Sequence, residues 1–407
     1  MKCRFCAEQL SDLFLDLGSA PPSNAFLTAT DLNAPELYFP LRLFTCPICL
    51  LVQVDEVQKC DSLFSSDYVY FSSYSRTWLR HSENYVEFVV QRLCLNQHSL
   101  VVEVASNDGY LLQYIKRRGI PCVGVEPTSG TAAVARDRGI ETLEFFFGLQ
   151  FAQTFINERR TADLVIGNNV LAHVPDINDF VAGLATVLAK EGVVTLEFPH
   201  LLQLITHRQF DTVYHEHFSY FSLHTVQKLF LAHGLRIWDV EELTTHGGSL
   251  RIWACKANAG RAQKRAVAKL LSKESSAGMQ SLKYYADFQP LADTIKNDFL
   301  TFLLDCKRLG KTVIGYGAAA KGNTLLNYAG VKPDLLSYVV DASPHKQGLY
   351  LPGSHIPVVC EAIIREIKPD FVVILPWNLK QEIMEQISYI REWDGQFVTT
   401  IPSLIAS

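Results

Sequence analysis

Short apolar runs rich in valine alternate with helical patterns from Ser99 onward, and this alternation constrains the fold of the 407-residue chain more than any other feature. The runs at 99–105, 121–127, 142–146, 162–170 and 192–199 have the length of strands. Their near-continuous apolar character is typical of strands that are buried on both faces. Helical patterns at 110–118 and near 130–138 separate them. The pattern predicts a doubly wound parallel sheet with helices on both faces.

Two further strands, at 235–243 and 249–257, are separated by only five residues. A hairpin is the natural connection, because a parallel pair needs a crossover of a dozen or more residues. A parallel sheet that ends in an antiparallel hairpin has the strand order of class I methyltransferases. It differs from the order of a dinucleotide-binding Rossmann domain. We therefore expect an α/β fold with a Rossmann-like sheet of seven strands.

Two Cys-x-x-Cys pairs lie near the N-terminus, at Cys3/Cys6 and Cys46/Cys49. The sequence MKCRFCAEQL lacks the apolar core of a signal peptide, so we expect a cytoplasmic protein with reduced thiols. Such thiols predict a structural four-cysteine Zn²⁺ site, which would replace the core that some 60 residues cannot supply. A redox pair is the alternative, but it would need one pair at a strand-to-helix junction.

The charge balance argues against several partners. The chain has 37 Lys and Arg against 42 Asp and Glu, a formal charge of −5. Without a large basic field, binding to nucleic acid or to an anionic membrane surface is disfavoured. A zinc-ribbon protein that binds nucleic acid is disfavoured for the same reason. No run approaches 18 apolar residues, so we expect no membrane span. A monomer is slightly favoured over an oligomer.

Polar residues follow three strands of the central unit. The segment Glu103-Val-Ala-Ser-Asn-Asp-Gly109 follows the first strand, and Glu126 ends the second. A carboxylate at Glu126 can accept both hydroxyls of a ribose. An acidic loop suits the positively charged sulfonium of S-adenosylmethionine better than it suits a phosphate, although only one glycine of the usual methyltransferase loop is present. The candidate cofactor-binding residues are Glu103, Ser106, Asn107, Asp108, Gly109, Glu126, Asn168 and Asn169.

Eight of the twelve histidines lie between His173 and His246. They are densest in Tyr214-His-Glu-His-Phe-Ser-Tyr220, where titratable groups and aromatic rings alternate. This composition is typical of a general acid/base cluster. A metal site is disfavoured, because the spacing is not His-Glu-x-x-His.

A third unit has strands at 311–317, 336–342, 370–376 and 396–402. Gly315-Tyr-Gly317-Ala-Ala-Ala320 fits G-x-G-x-x-A, and Asp341 follows at the end of the next strand. This lone motif is weak evidence for a dinucleotide. It leaves an NAD(P)-dependent nucleotide-sugar oxidoreductase as the alternative function.

The motifs together resemble one family over nearly the whole chain. They are the paired Cys-x-x-Cys, E-V-A-S-N-D-G, N-N-V-L-A-H-V-P-D, Y-H-E-H-F-S-Y-F-S, G-Y-G-A-A-A-K-G and D-A-S-P-H-K-Q-G-L-Y-L-P-G. These segments are similar to those of sugar C-3′-methyltransferases, which make branched deoxysugars for antibiotics or surface polysaccharides. The resemblance implies a zinc-binding domain at 1–70, an S-adenosylmethionine domain at 71–265 and a smaller Rossmann-like domain, without NAD, at 266–407.

The resemblance also implies a substrate and a set of catalytic residues. The substrate would be a nucleotide-linked 4-keto-6-deoxy sugar, with dTDP, GDP or CDP as the nucleotide. His217 would be the base that removes the C-3′ proton, with Glu216, Tyr214 and His173 beside it. A tyrosine after the zinc-binding domain would contribute too; Tyr70 matches best, and Tyr68 and Tyr74 are close alternatives. In the last domain, Lys321 and Asn323 are candidates to contact a diphosphate.

Overall fold

The computed structural model describes residues 1–55 and 72–407. In this part of the chain the strands are β1 (Asp12–Ala20), β2 (Phe39–Thr45), β3 (Val52–Val54), β4 (Val101–Val104), β5 (Cys122–Val125), β6 (Thr142–Leu143), β7 (Ala162–Asn168), β8 (Leu188–Pro199), β9 (Ser219–Tyr220), β10 (Leu235–Leu243), β11 (Ser249–Lys256), β12 (Val313–Tyr316), β13 (Val339–Val340), β14 (Val358–Val359), β15 (Phe371–Ile374), β16 (Gln396–Thr399) and β17 (Ile405–Ala406).

The α-helices of the same residues lie between these strands. They are α1 (Arg76–Leu93), α2 (Leu112–Arg117), α3 (Ser129–Asp137), α4 (Leu149–Glu158), α5 (Ile177–Val187), α6 (Leu201–Thr206), α7 (Leu223–Ala232), α8 (Arg265–Ala277), α9 (Lys283–Ala286), α10 (Phe288–Arg308), α11 (Ala320–Tyr328), α12 (Ala362–Ile367) and α13 (Lys380–Gln386). None of them combines the length and the apolar character that a membrane crossing requires.

The central sheet confirms the predicted seven-stranded fold. Its order is β10-β11-β8-β7-β4-β5-β6, with β4 to β8 parallel and β11 antiparallel to both of its neighbours. All four residues of β4 are buried, as expected for a strand covered on both faces. The carboxyl ends of β4, β5 and β7 therefore meet at one edge of the sheet, where such folds bind ligands.

Several strand bounds differ from the sequence prediction. β6 ends at Leu143 and not at residue 146, because Phe145 and Phe146 turn outward and are more than half exposed. β8 begins at Leu188, four residues earlier than predicted. The polar stretch 258–283, whose composition predicts a linker, is in part packed on the fold, since α8 buries Val267, Leu270 and Glu274 against the central unit.

A smaller antiparallel sheet carries the cysteine region, in the order β1-β2-β3-β9. Its last strand, β9, comes from residues 213–220, here called the histidine-rich segment, and pairs Val52 with Tyr220. Sequence analysis did not predict this pairing, because two residues carry no recognisable strand pattern. The first sheet is thus completed by a strand from inside the predicted middle domain, and the boundaries near 70 and 265 remain a proposal.

The third sheet has the order β14-β13-β12-β15-β16-β17 and is parallel except for β17. It shares a hydrophobic core with the first sheet through the long helix α10. Phe14 of β1 stacks on Phe288 of α10, with ring centroids 4.8 Å apart. The cysteine region packs against the central sheet on its other side, so the first sheet joins the two α/β layers.

A buried carboxylate fixes α8 to the central unit. Glu274 is fully buried and accepts hydrogen bonds from His200 Nε2 (2.8 Å) and from the backbone N–H groups of Leu223 (2.6 Å) and His224 (2.9 Å). The last two donors belong to the first turn of α7, whose N–H groups have no partner within the helix. One side chain therefore supports two helices and a buried histidine.

We expect Glu274→Gln to destabilise the protein by about 3 kcal/mol, because it leaves His200 and the α7 amides facing an amide in a buried place. Urea unfolding measures the change. Lys273→Gln is the matched control: Lys273 pairs with Glu242 at the surface, and its loss should cost less than about 1 kcal/mol. Equal stability of the two variants would contradict the role assigned to Glu274.

Candidate active site

The four predicted metal ligands lie together. The Sγ atoms of Cys3, Cys6, Cys46 and Cys49 are all within 4.8 Å of one another. Cys3 and Cys49, like Cys6 and Cys46, have sulfur atoms 3.5 Å apart. A tetrahedral site with Zn–S bonds of about 2.3 Å needs sulfur atoms about 3.8 Å apart. The four thiols therefore fit one zinc ion and leave no open coordination position.

The two Cys-x-x-Cys pairs form matching turns. In each, the residue after the second cysteine has a positive φ, 61° at Ala7 and 62° at Leu50. The N–H groups of these residues donate to the carbonyl oxygens of Cys3 (2.9 Å) and Cys46 (3.0 Å). Such turns direct both thiols of a pair to one point. Gln53 Nε2 donates to Cys3 Sγ (3.3 Å), a contact that favours the thiolate.

The loop after β4 turns sharply without the usual glycines. Ala105, Asn107 and Gly109 all have positive φ, at 55°, 49° and 76°. A Cβ at Gly109 would lie 2.4 Å from Ile140 Cδ1, and one at Gly124 would lie 2.4 Å from Ser106 Oγ. These glycines let the loop approach β5 closely. Of the two other left-handed residues, Asn107 adopts this conformation readily, whereas Ala105 is strained, as is common at ligand-binding sites.

Three carboxyl groups surround this loop. Glu103 is fully buried, and burial raises its pKa well above the ordinary value. The charges of Asp108 and Glu126 raise it further, whereas the Tyr110 hydroxyl nearby favours the charged form without the geometry of a full hydrogen bond. A cation bound here would offset this repulsion. The loop is therefore suited to a positively charged ligand.

The predicted cofactor-binding residues fall into two groups. One group is engaged within the chain: Asp108 pairs with Arg138 (3.3 Å) and accepts from the Ser73 hydroxyl, Asn107 Oδ1 accepts from the N–H of Ser72 (2.9 Å), and Glu126 accepts from the N–H groups of residues 107 and 128, each at 3.0 Å. These contacts fix the loop and hold residues 72–74 across it.

The other group has unused polar atoms. Five of their buried polar atoms have no hydrogen-bond partner within residues 1–55 and 72–407. They are the two carboxyl oxygens of Glu103, Ser106 Oγ, and the amide oxygen and nitrogen of Asn168. Buried polar atoms normally have partners, so a cluster without them at the ends of two neighbouring strands marks a place for a polar ligand. Asn169 belongs to this group only in part: its Nδ2 donates to His246 Nε2 (3.1 Å), and its Oδ1 has no partner among the described residues.

The histidine-rich segment is held from three sides. Phe218 O accepts from the N–H of Val54 (3.1 Å) in the first sheet, and the N–H of Phe218 donates to Ala172 O (2.7 Å) beyond β7. From the last domain, Thr324 Oγ1 donates to Val213 O (2.7 Å). The segment is therefore fixed beside the loop that carries Asn168, Asn169 and His173.

His217 and His173 form a pair of oriented imidazoles. His217 Nδ1 lies 3.0 Å from Thr212 O, and His173 Nδ1 lies 2.9 Å from Glu216 O. A carbonyl oxygen only accepts, so each Nδ1 carries a hydrogen and each neutral ring has its lone pair on Nε2. The rings are 4.6 Å apart in an edge-to-face arrangement.

Burial keeps these rings neutral. It lowers the pKa of His173 to about 4 and the pKa of His217 well below its ordinary value. Repulsion between the protonated forms of His217 and His173, and then between His217 and the charges of His246 and Lys321, lowers the pKa of His217 further, while its hydrogen bond to the Thr212 carbonyl raises it. At neutral pH both rings can therefore accept a proton at Nε2.

The remaining predicted residues lie around this pair. The Tyr214 hydroxyl donates to His217 Nε2 (2.8 Å). Glu216 is buried, which raises its pKa, and Oε1 accepts from Asn24 Nδ2 (3.1 Å). Tyr70 and Tyr68 lie outside the described residues. Tyr74 is 62% exposed, and its hydroxyl lies 3.2 Å from His345 Nε2.

Sequence reasoning missed Asn24 and His246. The first stands in the Pro-Pro-Ser-Asn stretch between the cysteine pairs, which contains no recognisable catalytic motif. His246 has φ of 52° in the β10–β11 turn, and its ring packs edge-on against Trp78 (5.4 Å). The turn is anchored where Thr245 Oγ1 donates to Glu197 Oε1 (2.7 Å). The sequence feature that could have indicated His246 is its position within a Thr-His-Gly-Gly turn.

The dinucleotide alternative is not supported. Asp341, which would bind a ribose, accepts from the N–H groups of Ala318 and Ser343, both at 2.8 Å. A Cβ at Gly317 would lie 2.4 Å from Pro376 Cδ. The glycine-rich turn is therefore packed against protein at the point where a pyrophosphate would have to approach.

Comparisons with known proteins agree with this geometry. Residues 3–64 match a zinc binding domain family, residues 78–240 a methyltransferase domain family, and residues 244–402 the C-methyltransferase C-terminal domain family. C-methyltransferase NovU of Streptomyces niveus is 35% identical over 404 residues, which cover 98% of this chain and 95% of that protein.

Solved structures resemble a smaller part of the chain. Magnesium protoporphyrin IX methyltransferase (ChlM) from Synechocystis PCC 6803 with bound SAM is 16% identical, covers 47% of this chain and 87% of its own, and has a TM-score of 0.34. PH0226 protein from Pyrococcus horikoshii OT3 is 15% identical, covers 46% and 94%, and has a TM-score of 0.38. Scores this low support no argument.

The resemblance found in the motifs agrees with the three matched families. It also agrees with the relative that covers 98% of this chain. The chain belongs to the sugar C-methyltransferase family and is an S-adenosylmethionine-dependent C-methyltransferase.

Proposed function

We propose that this enzyme methylates C-3′ of a nucleotide-linked 4-keto-6-deoxy sugar, in the biosynthesis of a branched deoxysugar. The observation that carries the proposal is the buried pair His217 and His173, whose Nδ1 atoms face backbone carbonyls and whose lone pairs therefore lie on Nε2, beside the strand ends that carry the unused polar atoms. This arrangement supports removal of a carbon-bound proton next to a methyl donor. The comparisons support the C-methylation and leave the sugar to be tested.

Carbon becomes a nucleophile here only after it loses a proton. A 4-keto group acidifies the neighbouring C-3′–H bond, since the electron pair left behind spreads onto the ketone oxygen. His217 removes this proton with Nε2, and the Thr212 carbonyl holds the ring in the required tautomer. The new negative charge beside the ring then stabilises the imidazolium, so a base with a low pKa in the free enzyme becomes stronger in the complex.

The neighbouring groups orient this base. The Tyr214 hydroxyl donates to Nε2 and thereby marks where the substrate hydrogen must arrive. Glu216 holds His173 through its backbone carbonyl and reaches the first domain through Asn24. We propose that Tyr214, Glu216 and His173 line the sugar site. Tyr70 is proposed to complete it, on the resemblance alone.

S-adenosylmethionine supplies an electrophilic methyl group on a positively charged sulfur. Glu103, Ser106 and Asn168 fit this molecule, because their unused oxygen and nitrogen atoms match its ammonium and hydroxyl groups. Glu126 retains acceptor capacity for a ribose. Asn107, Asp108, Gly109 and Asn169 are proposed to shape the same site, since they set the course of the two loops.

The first domain is proposed to hold one structural zinc ion on Cys3, Cys6, Cys46 and Cys49. The ion is not needed for proton removal, because all four of its positions are filled by thiolates. Its role is to stabilise the region that supplies Asn24 and β3 to the histidine-rich segment.

We expect His217→Ala to lower the turnover number about 1,000-fold while S-adenosylmethionine binding is retained, because only the base is removed. Labelled S-adenosylmethionine is incubated with dTDP-, GDP- and CDP-linked 4-keto-6-deoxy sugars, and products are read by mass spectrometry. His207→Ala, at an exposed histidine outside the pair, should match the wild type. Retained turnover in His217→Ala would remove this residue as the base. No methylation of any sugar by the wild type would overturn the proposed substrate class.

The pH dependence follows from the low pKa of the base. His217 is active when neutral, and burial keeps it neutral well below the ordinary histidine pKa of about 6.5. We therefore expect kcat/KM to stay level from about pH 8 to 6 and to fall only in more acidic solution. Steady-state rates on the best sugar of the panel test this. An acid limb centred at pH 6.5 or above would contradict the assignment.

We expect Cys46→Ser to lose the bound zinc and most of the soluble protein, because three thiolates leave the first domain unsupported. Inductively coupled plasma mass spectrometry of the purified protein should find about one zinc ion per wild-type chain. Cys360→Ser, at an exposed cysteine outside the cluster, serves as the control. A stable and active Cys46→Ser protein without metal would refute the structural role.

A further inference from the structure

The last domain contributes a lysine to the neighbourhood of the imidazole pair. Lys321 lies in the first turn of α11, whose Thr324 and Asn323 donate to Val213 O (2.7 Å) and Ser23 O (2.6 Å). These two contacts fix the helix to the histidine-rich segment and to the first domain. These contacts therefore hold the first turn of α11, which carries Lys321, next to the histidine-rich segment.

The ammonium group of Lys321 is poorly neutralised. Its Nζ donates to Asn378 Oδ1 (2.8 Å) and lies over the Trp377 ring, 4.6 Å from the centroid. Within the described ranges no carboxylate lies within 4 Å of it. Asp211 is the acidic group that acts on it at longer range, and burial lowers the pKa of Lys321 in spite of it. A partly buried cation with one neutral acceptor is costly unless an anion arrives.

The residues that contact Lys321 also contact the elements around the proposed sugar site. Trp377 packs so closely on the β10–β11 turn that a Cβ at Gly247 would lie 2.2 Å from Trp377 Cη2, beside His246. Trp377 Nε1 donates to Asp211 Oδ2 (2.7 Å), one residue before the Thr212 carbonyl that orients His217. The positive charge also lowers the pKa of His217 and His246, which places it within electrostatic reach of both rings.

We propose that Lys321 stabilises the negative charge that develops on the ketone oxygen O-4′ when His217 removes the C-3′ proton. In this step the C-3′–H bond breaks, the proton goes to His217 Nε2, and the electron pair forms the C-3′=C-4′ bond with the charge on O-4′. One ammonium group with one amide partner suits a single oxygen. A diphosphate, with two charged groups, would call for several cations or amides. This inference rests on the proposed function.

The test is Lys321→Met, which keeps most of the length and removes the charge. Substrate is a dTDP-linked 4-keto-6-deoxyhexose, or the best sugar of the panel. We expect kcat to fall roughly 100-fold, with KM changed less than about threefold. Deuterium uptake at C-3′ from D₂O, with S-adenosylhomocysteine present, should slow by a similar factor. Lys321→Arg should recover part of the rate, since it keeps the charge.

Lys307→Met is the matched control, because Lys307 pairs with Asp334 at the surface of the same domain. An increase in KM with unchanged kcat would mean that Lys321 holds the diphosphate and would overturn the inference. Unchanged kcat, KM and exchange would overturn it too. Failure of the wild type to methylate or to exchange any sugar is a different outcome, since it removes the proposed function itself.

Discussion

The position of the histidine-rich segment depends on all three sheets. It adds β9 to the first sheet, packs under the loop that follows β7 of the central sheet, and accepts a hydrogen bond from α11 of the last domain. None of these contacts is close in sequence. The segment has little regular structure of its own, so its geometry exists only when the three parts are assembled. This gives a physical reason for joining a zinc-binding region and a second α/β layer to a methyltransferase fold.

Two electrostatic environments lie side by side as a result. The loop after β4 concentrates carboxyl groups, and their repulsion favours a cationic ligand. The imidazole pair lies nearby in an environment that favours neutral rings and has Lys321 at its edge. The first environment suits a positively charged methyl donor, and the second suits a carbon acid that turns into an anion. The mildly acidic total charge of the chain predicts neither environment, because each environment depends on a few buried groups.

Local sequence patterns predicted the parts of the structure that depend on interactions between residues close in sequence. Valine-rich runs gave β4, β5, β7 and the hairpin β10–β11, since continuous apolar strands and a five-residue connection leave few other arrangements. The Cys-x-x-Cys spacing predicted a thiol cluster, because the turn itself directs both sulfur atoms to one point. The density of titratable groups likewise singled out the segment that contains His217, whereas the individual roles of His217 and His173 were taken from the family resemblance.

Long-range contacts could not be predicted in this way. Asn24 reaches Glu216 across 192 residues, and Thr324 reaches Val213 across 111 residues. The periodicity of apolar residues along the sequence carries no information about such distant pairs. The left-handed conformation of Ala105 could not be predicted either, because the surrounding loop imposes it against the preference of alanine. Asp108 was assigned to the cofactor by motif; its Oδ2 contacts Arg138 and Ser73, its Oδ1 has no partner among the described residues, and the assignment stays a prediction.

The central claim is that a neutral His217 removes a carbon-bound proton before the methyl group is transferred. The most direct measurement is loss of deuterium from a C-3′-deuterated 4-keto-6-deoxy nucleotide sugar, incubated with the wild-type enzyme and S-adenosylhomocysteine in ordinary water. We predict release of the label well above the enzyme-free rate, followed by proton NMR at C-3′. Full retention of deuterium, under conditions in which the same enzyme methylates this sugar from S-adenosylmethionine, would contradict the account.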